Sequence, residues 1–521
     1  MSGLKRLFFD RILERSYWVW RRHPILMVPT MLGTGLSTIE QSVVTMTAVA
    51  FLNLLAGQGL LKSFATRIFT GSIFGAIIDP AIFPMLIVLA TISLVGIALV
   101  SILGGGFVYS AEYGVYVDAW QKDSVSFNSL LANGARRWKA MARTIFLTVL
   151  VTWSPLILVG IVTLLVYIGT GNLIAAALSF VVVYEFAIGA SLLLSLFTLY
   201  AYPAVVVDQI SGFAAVKHSF RVASHNLGTT MTYAVVRGAF QLLLAFIVIL
   251  GAPLGLPLTS LTTAVVTLLL LPILHSTKTM IYHYARPDVA EMEFRPSNPI
   301  IGDMYRRLPR AAWRKVKNGL FEIGRFLVSP SNFPFHGAAI LALAIGIVDG
   351  NYITNSGLGT AIQLQPGYDP RKGNPNVIFP NVLPPFLGID LFLHNWLVSV
   401  GTALAGIGFG IPSFADILFN GFILGIVQPL TPSNTMFLAA ILPHGIIEIP
   451  SLVIAGSVGI KLGTAAWRAK LSPSPESTET LSQSLRQAVY VVVGLAVLFL
   501  IAGLIEADIT PIIMRMYGWT F

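Results

Sequence analysis

The chain has 521 residues, 55% hydrophobic and 11% charged, with 33 Lys and Arg against 23 Asp and Glu for a net charge of +10. Its apolar runs approach the ~20 residues that cross ~30 Å of hydrocarbon, which excludes a soluble globular protein and defines an all-α polytopic integral membrane protein. Cysteine is absent, excluding disulfides, thiolate metal sites and a cysteine nucleophile, and the basic excess belongs to cytoplasmic loops facing anionic headgroups rather than to a nucleic-acid binder.

Residues 1–29 are basic and aromatic, with Arg11, Arg15, Trp18, Trp20, Arg21 and Arg22, and lack the apolar core and cleavage site of a signal peptide. They are expected to form a retained interfacial helix. The first span, 24–56, carries Glu40 near its middle, and the second runs over 83–110. Residues 112–143 hold Arg136, Arg137, Trp138, Lys139 and Arg143 and read as an amphipathic helix lying on anionic headgroups. Spans three to six occupy 144–168, 173–204, 229–252 and 258–282, with a second amphipathic helix in 207–225. Apolar density then falls over 286–333, where Arg306, Arg307, Arg310, Arg314, Lys315, Lys317 and Arg325 crowd together. This stretch reads as a basic cytoplasmic linker between a six-span domain, 1–285, and a five-span domain, 334–521. The later spans are 335–348, 389–409, 414–427, 435–458 and 487–505, about eleven transmembrane helices in all. Setting every basic segment inside gives a plasma-membrane protein with a cytoplasmic N-terminus and an external C-terminus.

Ionisable groups inside such spans are costly and mark function or pairing. In the N-terminal half these buried ions are Glu40, Glu185 and Arg237, and Arg237 is expected to pair with Glu185 or Glu40. Lys278, nearer a helix end, is expected to snorkel. In the span 435–458, His444 and Glu448 stand four residues apart on one helical face, bracketed by Pro443 and Pro450. Counting rise along the spans brings His394, Asn395, Asn420, His444, Glu448 and Glu506 toward the outer half of the membrane. Such a cluster either locks the helices by mutual hydrogen bonding or lines an external cavity that relays protons or binds a cation. A zinc protease helix would supply a further ligand beside His444 and Glu448, so the metal is left unassigned. Gly421-x-x-x-Gly425 and Gly459-x-x-x-Gly463 suit internal packing and self-association equally. Gly104-Gly-Gly106 lacks the Lys-Ser/Thr of a nucleotide loop, and no cofactor is expected.

Residues 334–521 resemble the stage II sporulation protein M family. The resemblance rests on five spans carrying His394-Asn395, Asn420-Gly421, Gly425, Pro443-His-Gly-Ile-Ile-Glu448, Gly456, Gly459, Ile505-Glu506 and Pro511. It implies a scaffold that gathers other proteins at a membrane. The N-terminal ~330 residues resemble the six-span domain fused to some glycerophosphodiester phosphodiesterases, through Tyr202-Pro-Ala-Val-Val-Val-Asp208 and Ala214…His218-Ser-Phe-Arg221; no phosphodiesterase domain accompanies it here. The expected function is therefore a non-enzymatic membrane scaffold or complex component, partnered by lipid, other membrane proteins or its own copies. The alternative is a transporter or channel with an outward-facing polar cavity around His444 and Glu448. An intramembrane metal-dependent hydrolase stands third.

Overall fold

The structure is a computed structural model and describes residues 9–122, 125–286, 289, 300–365, 368–371 and 384–520. Eleven helices among them are long and apolar enough to cross a membrane, which makes the chain an all-α multi-pass membrane protein. In chain order they are α1 (Pro24–Gly57), α2 (Phe83–Gln121), α3 (Phe127–Thr170), α4 (Leu173–Val207), α5 (Leu227–Leu254), α6 (Thr259–Tyr284), α7 (Pro330–Gln363), α8 (Pro385–Ile407), α9 (Ile411–Leu430), α10 (Asn434–Leu471) and α11 (Pro475–Met516). Beyond the span expected to end at 348, helix continues to Gln363, and residues 366–367 and 372–383 lie outside the described set.

The chain gathers into two compact units. The first comprises Met1–Thr30, Ser101–Leu243 and Leu268–Ser297. Its frame is the hairpin of α2 and α3, and it corrects one expectation. Residues 112–143 do not form a separate amphipathic helix: Glu112 continues α2, and Arg136 to Arg143 continue α3, a single helix of 44 residues. Small residues explain the change. Gly106 lies against the Trp138 carbonyl and Ala142, Gly114 against Asn133, and Gly134 against the Phe107 ring, each too close for a side chain. The Asn133 amide donates to Asp118 at 2.7 Å across the same seam. A reciprocal cap between Ser126 and Ser129 starts α3 and satisfies its first free amides. At ~1.5 Å per residue α3 reaches ~66 Å, about twice the hydrocarbon thickness, so one end of the hairpin projects from the membrane. The helix Phe9–Arg22 docks one face on this unit, burying Ile12, Tyr17 and Trp20, with Arg15 donating to the Tyr284 hydroxyl at 2.9 Å.

The second unit comprises Met31–Val100, Leu244–Thr267 and Asn298–Phe521. Its helices approach through glycine. Side chains at Gly421 and Gly425 of α9 would strike the carbonyls of Leu343 and Ile347 in α7, and side chains at Gly346 and Gly350 of α7 would strike those of Leu418 and Phe422 in α9. Gly459 of α10 meets Thr402 of α8 and Ser413 of α9, and Gly463 meets Gly410, which lies between those helices and whose φ of 80° a glycine alone adopts freely. Both glycine motifs are thus consumed by internal packing. The stretch read as a linker contains the helix Leu308–Val328, which buries Ile323 and Phe326 and meets α11 where Gly319 faces Gly494. Phe51, Leu55, Leu61, Ile82, Ile353 and Phe422 form an apolar core beside these contacts.

Candidate metal centre

Helix α10 runs unbroken through Pro443 and Pro450, so His444 and Glu448 keep their one-turn spacing and share a face. Each proline removes a backbone donor and loosens the turn before it. The third member comes from α11. Pro511 has no N–H to offer Ala507, and the helix widens into a π-turn over Ile505–Ile509 that carries Glu506. Ligating atoms of His444, Glu448 and Glu506 all lie within 4.8 Å of one another, and none of the three residues is exposed.

The surroundings orient this triad. Asn395 hydrogen-bonds the Glu448 carboxylate. Thr510 Oγ1 lies 3.2 Å from His444 Nδ1 and donates its own proton to the Ile505 carbonyl at 3.2 Å. The hydroxyl thus bridges Nδ1 and the α11 backbone and fixes the orientation of the ring. Glu448 Oε2 and Glu506 Oε2 are buried and have no hydrogen-bond partner among the described residues. The two carboxylates also act on each other electrostatically. Like charges sharing a low-dielectric site require a proton or cation between them. One imidazole nitrogen and two carboxylates form a donor set for a divalent transition metal and leave coordination positions open.

This geometry overturns the expectation of a non-enzymatic scaffold whose polar cluster is a fully paired lock. The lock requires every acceptor to be met, and two carboxylate oxygens are left facing a metal-capable site. The ligand missing from α10 is supplied by Glu506. His394 is exposed on α8, while Asn395 beside it turns to Glu448. Asn420 lies outside the triad and donates to the Asp416 carbonyl of its own helix at 2.8 Å. Sequence reasoning missed Thr510, and Pro511 five residues after Glu506 was the available signal for the widened turn.

The N-terminal ions sit elsewhere. Glu185 is exposed on α4 beside Phe186, which is 78% exposed, and forms no ion pair with Arg237. Glu40 is half-buried in α1. Lys278 does not snorkel: it is 6% exposed, held over the rings of Tyr113 and Tyr202 at 5.0 and 6.0 Å. Sequence reasoning also missed the buried pair of Glu112 and His275, 2.7 Å apart.

Fold and site together define a multi-pass membrane protein with a His–Glu–Glu centre inside its helix bundle. Residues 335–511 match the stage II sporulation protein M family, and through this domain the chain belongs to that family. Two uncharacterised proteins of Methanocaldococcus jannaschii are similar to it. MJ0793 is 31% identical over 126 residues, 23% of this chain and 68% of the relative. MJ0706 is 25% identical over 122 residues, 23% of this chain and 56% of the relative. No solved structure matches the chain.

Proposed function

We propose that the C-terminal domain binds one divalent transition-metal ion on His444, Glu448 and Glu506 and passes that ion across the membrane. The observation that carries this reading is the pair of unpartnered carboxylate oxygens set against an oriented imidazole. Both ligand-bearing segments carry weak points, the missing backbone donors of Pro443 and Pro450 in the continuous helix α10 and the π-turn in α11. Membrane transporters build ion sites at weak points in their helices. A second reading, hydrolysis within the membrane, is favoured by a specific feature: three protein ligands leave a position where a bound ion would hold and acidify water.

Purified protein and the Glu448→Gln variant, loaded with Zn²⁺ or Mn²⁺, decide the matter. Transport requires one bound metal per chain and metal flux in proteoliposomes, both lost in the variant. One bound metal with no flux, but with metal-dependent cleavage of a lipid or membrane peptide, selects hydrolysis. Folded wild-type protein that binds neither metal refutes both. We further propose that the N-terminus is cytoplasmic and the C-terminus external in the plasma membrane, supported by the distribution of basic segments. The basic end of the α2–α3 hairpin then meets anionic headgroups or the solution beside them.

A further inference from the structure

The first unit buries a second polar cluster, unrelated to the metal centre. Lys278 on α6 makes no hydrogen bond or ion pair among the described residues, only the ring contacts to Tyr113 and Tyr202. Arg237 on α5 lies within electrostatic range of Lys278 and likewise has no ion pair among the described residues. The carboxylate of the cluster, Glu112, is already engaged, accepting from the Tyr116 hydroxyl at 3.0 Å and bonded to His275 Nδ1 at 2.7 Å. Tyr233 completes the group. It is 0% exposed, its hydroxyl has no partner, and it lies within electrostatic range of both Arg237 and Glu112.

A buried ammonium, a half-buried guanidinium and an orphaned hydroxyl, with the single carboxylate Glu112 shared among them, form an incomplete set of interactions. A cation only partly compensated at such depth is expensive, and an unmet buried hydroxyl adds its own desolvation cost. What would satisfy all three at once is an anion with several acceptor oxygens. A guanidinium and a phenol one turn apart on α5 and an ammonium on α6 offer three separate donors, so a phosphoryl group with three acceptors fits better than a planar carboxylate with two. The ring faces of Tyr113 and Tyr202 would wall the group from lipid tails. Lys278 stands six residues before the end of α6, ~9 Å along the helix axis, a depth that either a drawn-in lipid headgroup or a soluble phosphate can reach.

We infer that Lys278, Arg237 and Tyr233 form a binding site for a phosphoryl group within the N-terminal unit. The test uses delipidated full-length protein in detergent and two probes, inorganic phosphate and phosphatidylglycerol, with a galactosyl diacylglycerol as a phosphate-free control lipid. At least one phosphate probe should bind and raise the melting temperature, while the control lipid does not. Lys278→Met and Arg237→Gln should each weaken that binding tenfold or more, and Tyr233→Phe severalfold. Binding of inorganic phosphate identifies a soluble source, and binding of phosphatidylglycerol alone identifies a headgroup. If Lys278→Met fails to fold, Arg237→Gln and Tyr233→Phe carry the comparison. Wild-type protein that binds neither probe, or folded variants that bind as wild type does, would overturn the assignment.

Discussion

At Glu506 the change to glutamine replaces one carboxylate oxygen by an amide and removes the negative charge a cation would need. Metal affinity of Glu506→Gln should fall at least a hundredfold, measured by competition with a chelating dye. Asn395→Ala leaves the ligands in place but frees Glu448 to rotate, and about a 10-fold to 100-fold loss is expected, as for other groups that orient metal ligands. Each ligand binds metal in its deprotonated form, so affinity must fall as pH is lowered and protons compete for the same lone pairs. Affinity that is flat in pH would argue against this ligand set. Part of the site was legible in sequence: the four-residue spacing fixes His444 beside Glu448 whatever the tertiary fold. The orientation of the imidazole was not, because it depends on Thr510, a residue that becomes a neighbour of His444 through the packing of α11 on α10.

Between helices, the glycines of α7 and α9 set a separation that only backbone can occupy. Gly421→Leu should destabilise the protein by about 1–3 kcal/mol or more through overpacking. Gly160→Leu on α3, where nothing lies within 4 Å of the added carbon, should leave the melting temperature unchanged. Equal effects at the two positions would contradict the α7–α9 contact. The exposure of Glu185 makes a second forecast: Arg237→Leu and Glu185→Leu should show no coupling in a double-mutant cycle, against the Glu185 arm of the pairing expected from sequence. That expectation failed because a helix pattern reports which residues share a face, not which face turns inward when lipid and protein are both apolar. The same ambiguity hid the hairpin. Arg136 to Arg143 have the periodicity of an interfacial helix, and Gly106, Gly114 and Gly134, spread over two segments, decide otherwise.

Across the whole molecule the eleven spans were readable because apolar length is a local property of the chain. The interleaving of the two units was not, since each draws on three separate segments and no local signal marks such a division. The cations of the first unit and the carboxylates of the second were visible as letters, but their unmet valences emerged only with the packing around them. Those carboxylates have an electrical consequence. Two negative charges and a neutral imidazole, once loaded with a divalent ion, carry no net charge. Membrane potential does work of about 2.3 kcal/mol per elementary charge per 100 mV, so it has nothing to act on as the loaded site changes sides. A full cycle still carries two positive charges across, because the emptied site returns with both carboxylates uncovered, so metal flux into proteoliposomes should follow a potential imposed by a potassium gradient with valinomycin. Flux that stays the same at either sign of the potential would mean that both carboxylates return protonated, two protons leaving for each ion that enters.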